Sequence, residues 1–272
     1  MAKIQAVSVF FVMLATFTFV TYTTQNEPPE EQPSPGTLES DMKLTDEQLG
    51  AIVAIVEAEA NGVVDRKAKA DLTYRWPNAE VPYAISDSSR NDGGIIRKAL
   101  AYWESNTCIR FPLYNSVNAN QHRIEFIKAD GCWSWVGDTG KLPQNISIGA
   151  GCEWRGTIAH EIGHAIGFWH EQSRDDRDNY VTVHLGNVKS GQDHNFNKYT
   201  ANNVNSYNVP YDVGSLMHYG PKYFSKNGLD TITANNPEDQ DKMGQDEHLS
   251  TADILLANII YDCPGRYISG YL

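Results

Sequence analysis

Polar and apolar positions divide the chain into unlike stretches. Lys3 is followed by an apolar run from Ile4 to Val20 that only Gln5 and small hydroxyl residues interrupt. This is the pattern of a secretory signal peptide over residues 1–24, with cleavage expected between Thr21 and Gln25. The run approaches membrane-spanning length, so a single-pass anchor is the competing reading. Asn26 to Gly36 is rich in Pro and Glu, cannot bury enough apolar surface to offset the entropy of ordering, and reads as a linker. Leu44 to Ala60 predicts a helix, with Thr45 as cap, Gln48 at the capping-box position and Leu49, Ile52, Val53, Ile55 and Val56 on an apolar stripe. Asn61 to Tyr74 is charged and aperiodic, and its Arg66-Lys67 pair suits a trypsin-like cut.

From Trp76 the pattern alternates between the strand and helix periods. Val81 to Ser86 and Arg123 to Ile127 read as strands, and Gly94 to Glu104 as a helix with the stripe Ile95, Ala99, Tyr102 and Trp103. Thr157 marks a second helix start, with Ile158, Ile162 and Ile166 on its core face. A last helix begins at Ser250 with Asp253 completing a capping box, and carries Ile254, Leu255, Ile259 and Ile260. Strands and helices mixed in this way predict an α+β fold.

Length and charge narrow the picture. A chain of 272 residues with 41% hydrophobic content can hold one large or two modest domains around a real core. A net charge of -12 argues against a nucleic-acid partner, which calls for a basic patch. Residues before Lys67 hold 3 of the 22 basic and 10 of the 34 acidic side chains, so much of the acidity lies in the leading segment. The four cysteines, Cys108, Cys132, Cys152 and Cys263, fit the oxidising route of a secreted chain; they allow three pairings, and none stands at short metal-ligand spacing from another. Asn145-Ile146-Ser147 is an acceptor sequence for N-glycosylation, expected on an exposed loop.

The chemistry is concentrated in His160-Glu161-Ile162-Gly163-His164-Ala165-Ile166-Gly167-Phe168-Trp169-His170-Glu171. His160 and His164 are one turn apart on a helix face, so both rings can reach one metal ion. His170 lies too far along for an uninterrupted helix, and Gly167 permits the required turn. Three neutral imidazoles leave a tetrahedral zinc ion one open position, the arrangement of a hydrolytic site. Glu161, beside the first ligand, is placed to act on an activated water as general base without occupying the metal.

These residues resemble the metzincin form of zinc protease, and Glu171 directly after the third histidine narrows the resemblance to the astacin family. It extends from Trp76 to Cys263. Ser215-Leu216-Met217-His218-Tyr219 is similar to the family's Met-turn, which implies Met217 as a soft floor beneath the metal and Tyr219 as the phenol that stabilises the oxyanion. His218 reads as a satisfied neighbour rather than a ligand. Cys132-Trp133-Ser134-Trp135-Val136-Gly137 and Gly151-Cys152 resemble the strand and loop before the zinc helix, and the family's pattern implies the pairs Cys132–Cys152 and Cys108–Cys263. By the same resemblance Glu171 meets the N-terminus freed by processing. Leu38 to Thr45 resembles the Phe-x-Gly-Asp propeptide motif, with Asp41 at the position of the latent-state zinc ligand and Leu38 and Ser40 replacing the Phe and Gly.

The implied fold is a metzincin, zincin-like catalytic domain of two subdomains at 67–264, with an active-site helix and a Met-turn. A signal peptide (1–24) and a short propeptide (25–66) precede it, and a tail (265–272) follows. The implied function is a secreted, extracellular zinc endopeptidase made as a zymogen, with one Zn2+ per chain. Its expected partners are peptide or protein substrates and an activating trypsin-like protease, with no stable membrane association. The alternative is a catalytically silent secreted binding protein on the same scaffold, which would be expected to lack Glu161 or one histidine; all are present.

Overall fold

The computed structural model describes residues 40–50, 74–115, 122–199 and 206–265. The expected signal peptide, most of the propeptide with Leu38 and the Arg66-Lys67 pair, the helix beyond Gly50 and nearly all of the tail lie outside the described residues. Among the described residues no helix is long and apolar enough to cross a membrane.

A five-stranded sheet is built from β1 (Met42–Lys43), β2 (Tyr83–Ile85), β3 (Ile124–Ile127), β4 (Cys132–Trp135) and β5 (Gln144–Ile148), in the spatial order β1-β4-β5-β3-β2. The parallel pair β2–β3 needs a crossover, supplied by α1 (Gly93–Asn106), whereas β4 and β5 are antiparallel and a short loop suffices. Ile124, Phe126, Ile146 and Ile148 of the sheet share one core with Ile96, Ala99, Leu100 and Trp103 of α1. Ile158, Ile162 and Ala165 of α2 (Arg155–Ala165) join it. The buried face of α1 is thus rotated from the expected stripe: Ile96 and Leu100 point inward, while Ile95 and Tyr102 are only partly buried.

Three further expectations need correction. The sequon does not lie on an exposed loop: Asn145 is half-buried in β5, the middle strand, opposite Glu125 of β3. The strand was hidden because its polar side chains serve the backbone, Ser147 Oγ donating to the carbonyl of Gly131 (2.8 Å) and Gln144 Nε2 to that of Gly137 (2.7 Å). The zinc-motif helix starts at Arg155, two residues before Thr157, from an extended Trp154 that gives no side-chain cap. Finally, Thr45 and Gln48 do form the reciprocal cap, at 2.8 and 3.2 Å, but Leu49 of the apolar stripe is 41% exposed and the docked side chain is Gln48, whose amide donates to the carbonyl of Val136 (3.0 Å).

The C-terminal half is mostly 3-10 turns and irregular chain around a two-stranded antiparallel ribbon of β6 (Val181–Val183) and β7 (Ile232–Ala234). It has its own cluster, including Val181, Phe196, Tyr219, Phe224 and Ile232. α3 (Thr251–Ile260) opens with the expected capping box of Ser250 and Asp253 and returns to the first core through Ala257 and Ile260. Disulfides join Cys108 to Cys263, tying the end of α1 to the end of α3, and Cys132 to Cys152. The loop-entropy model assigns about 5 and about 3 kcal/mol to closures of these lengths.

Candidate active site

α2 packs against β4, and backbone carbonyls hold its histidines in one tautomer. Nδ1 of His160 donates to the carbonyl of Leu216 and Nδ1 of His164 to that of Phe168, both at 2.8 Å, so each Nε2 keeps its lone pair for a ligand. The helix ends at Ala165, and Gly167, with φ at 105°, turns the chain so that His170 comes back beside the other two rings. Ring centroids lie 4.7, 4.8 and 5.4 Å apart. Indole and phenol groups brace the last turn: Trp76 Nε1 donates to the carbonyl of Ala165 (2.7 Å) and the Tyr261 hydroxyl to that of Ile166 (2.9 Å).

The fourth group at this point is Asp41. Its carboxylate lies 3.1 Å from Nε2 of His160, 3.2 Å from that of His170 and 3.6 Å from that of His164. Donors of a tetrahedral zinc site with bonds of 2.0–2.1 Å stand about 3.3–3.5 Å apart, so the four residues fit one ion. All four are buried, and Oδ1 of Asp41 and Nε2 of His164 have no hydrogen-bond partner, which a shared cation would resolve. Burial pulls the His164 imidazole down to about 4, keeping it neutral as a metal ligand must be. Burial pushes the Asp41 carboxyl up, but the imidazoles of His170, His164 and His160 outweigh it and hold it well below the usual carboxylate range.

Met217 lies under the zinc helix: a Cβ placed on Gly163, between the two helical histidines, would come 2.8 Å from its sulfur. Glycine there lets the thioether approach the helix backbone. The turn itself is fixed by Asp253, whose carboxylate accepts from the Ser215 hydroxyl (2.6 Å) and the amide of Leu216 (2.9 Å) besides capping α3. Tyr219 is 1% exposed, its ring 4.6 Å from that of His170, and its hydroxyl is 2.9 Å from the Ser40 hydroxyl. His218 points away from the cluster, accepting from the Tyr211 hydroxyl and donating to the carbonyl of Tyr219, both at 2.7 Å. Glu161 is fully buried at the second position of the motif. Glu171 accepts from Arg174 (3.0 Å) and from the amide of Asp212 (2.8 Å), and burial pushes its carboxyl up to about 8.

Sequence reasoning missed Ser40, Gly163 and the second role of Asp253. Gly163 carried a visible signal, a helix-breaking residue inside the ligand helix; Ser40 was visible only as a departure from the propeptide motif.

The family model of astacin, a peptidase family, matches residues 68–262. Protein SpAN of Strongylocentrotus purpuratus is 49% identical over 245 residues, covering 89% of this chain and 40% of that protein. Blastula protease 10 of Paracentrotus lividus is also 49% identical, over 229 residues, covering 83% of this chain and 38% of that one. The chain therefore spans about 40% of the length of these relatives. Among solved structures, high choriolytic enzyme 1, a hatching enzyme zinc-protease of Oryzias latipes, superposes with a TM-score of 0.63 at 37% identity, over 70% of this chain and 93% of that one. With three histidines and a carboxylate gathered at one point and the family match running through both halves of the fold, the chain belongs to the astacin family of zinc peptidases.

Proposed function

We propose that this chain is a secreted zinc endopeptidase in its latent form, and that Asp41 is the group that keeps it latent. The observation that carries the proposal is the Asp41 carboxylate lying among the Nε2 atoms of His160, His164 and His170, at the end of a two-residue strand laid along β4. An aspartate there fills the position that an attacking water needs. Removal of residues 25–66 by a trypsin-like cut at Arg66-Lys67 would vacate it; the family match beginning at residue 68 supports that boundary.

His160, His164 and His170 would hold zinc, which supplies Lewis acidity that lowers the pKa of water and polarises a carbonyl. Glu161 takes the proton of the attacking water and delivers it to the leaving amine. Tyr219, released from Ser40, donates its hydroxyl to the oxyanion. Glu171 and Arg174 keep the segment after His170 in place, and the N-terminus formed by the cut adds a cation beside Glu171. The signal-peptide pattern and the two disulfides support secretion.

Casein hydrolysis by the full chain tests this, before and after trypsin, with and without a zinc chelator, and alongside Glu161→Gln. Activity should appear only after trypsin and be lost both to the chelator and in the variant. Folded, zinc-loaded, trypsin-treated protein that cuts neither casein nor a peptide library would leave the silent-scaffold reading in its place.

A further inference from the structure

β1 lies parallel to β4, with the amides of Ser134 and Val136 donating to the carbonyls of Asp41 (2.9 Å) and Lys43 (3.2 Å). These bonds use the free edge of β4, the strand beside the metal-ligand cluster. Once the prosegment leaves, the edge is a row of unpaired groups that an extended peptide can occupy as an added strand. Alternate side chains of such a strand face the same side of the sheet whichever way it runs.

On that side β4 carries two indoles, and each is covered by a lysine. Lys141 Nζ lies 4.3 Å from the ring of Trp135, and Lys43 Nζ lies 3.3 Å from the ring of Trp133. The two covers differ in origin. Lys141 belongs to the catalytic domain and stays, whereas Lys43 belongs to the prosegment. Among the described residues no carboxylate pairs with Lys43, and its ammonium sits on the indole face. Trp133 is only 8% exposed with Lys43 in place, so the covered face is shielded from water, where a cation–π contact is strongest.

We propose that Trp133 is a cation-selecting subsite: in the processed enzyme, a lysine or arginine side chain of the bound peptide takes the ring face that Lys43 covers here. The inference rests on the peptidase reading above. It makes the prosegment a partial substrate mimic, with Lys43 standing in for the substrate side chain and Asp41, two residues before it, among the histidines that would hold the metal.

The test uses trypsin-processed full chain and decapeptides cut at a single bond established by mass spectrometry. Each peptide carries lysine or norleucine at one of three positions on either side of that bond. The expected result is a lysine-over-norleucine ratio in kcat/KM of about three- to thirtyfold at one position, from the strength of a partly desolvated cation–π contact. In Trp133→Leu the ratio falls to about one, whatever the absolute rates, and Trp133→Phe gives an intermediate ratio. In parallel, fluorescence anisotropy of the same peptides on processed Glu161→Gln reads the ratio in Kd without turnover. No position with a lysine preference, or a preference that survives Trp133→Leu, overturns the proposal. Failure of every peptide to be cut, with the lysine preference still seen in binding, would instead sink the peptidase reading and leave the subsite standing.

Discussion

The hydroxyls of Ser40 and Tyr219 lie 2.9 Å apart, 179 positions apart in the chain and both buried. Asp41 occupies the metal-ligand cluster while the residue before it engages the phenol assigned to the oxyanion. Two groups that the proposed reaction needs are thus held by adjacent residues of one segment. Ser40 stands where the family's motif has glycine, which could make no such bond.

Replacing Ser40 therefore weakens latency without abolishing it. One neutral hydrogen bond contributes about 1 kcal/mol, so Ser40→Ala should raise the casein-cleaving activity of unprocessed protein by up to about fivefold. Asp41→Ala removes the carboxylate itself and should give unprocessed protein with activity approaching the trypsin-treated level. Indistinguishable, near-zero activity in both unprocessed variants would count against the latent reading.

Asp253 links the Met-turn to α3 through Ser215 and Leu216 while capping its own helix through Ser250. Asp253→Asn keeps the size but weakens several charge-assisted bonds in a buried place, where the loss is about 2–4 kcal/mol. The urea midpoint should fall accordingly, and zinc affinity with it, because His160 is oriented by the carbonyl of Leu216. Ser250→Ala, which breaks only the cap, should cost about 1 kcal/mol and leave zinc affinity unchanged.

The ligand helix, the closing helix and the order of the motifs were legible in the sequence because local spacing encodes them. His160 and His164 share a face through helix geometry alone, and Ser250 and Asp253 meet within one turn. What the sequence hid was long-range. β5 reads as polar because Gln144 and Ser147 spend their side chains on distant carbonyls. The face of α1 was misread by one position because Ile95 and Ile96 are equally apolar, and only packing against the sheet chooses Ile96. Asp253 displays its cap in the sequence but not its grip on a turn 37 residues away.

Gly156 tests the packing of the ligand helix. In an isolated helix, alanine for glycine is favourable by about 1 kcal/mol. Here a Cβ at Gly156 would fall 1.4 Å from the carbonyl oxygen of Asp246, a backbone atom that no rotamer change can move aside. Gly156→Ala should therefore destabilise the fold by more than about 3 kcal/mol, against its helix propensity. Gly94→Ala, where a Cβ meets nothing within 4 Å, is the control and should be neutral or stabilising. Equal melting temperatures for the two variants would contradict this packing.

Acid lability should trace in part to His218. Burial pulls its imidazole down from 6.5 to about 4, although its bond to the carbonyl of Tyr219 pushes the other way. A histidine depressed in the folded state contributes stability that is present above the unfolded pKa near 6.5 and is lost as pH falls through about 4. A shift of this size amounts to ~3 kcal/mol at full protonation. Nδ1 already donates to a carbonyl and Nε2 accepts from the Tyr211 hydroxyl, so a proton added at Nε2 must displace that hydroxyl hydrogen. Charging His218 forces Tyr211 to give up that bond, and Tyr211 is part of the second core. Urea midpoints of unprocessed protein measured from pH 7 to pH 4 should fall in the wild type, and more gently in His218→Gln, which cannot be charged. Parallel slopes for the two proteins would move the acid sensitivity elsewhere in the fold.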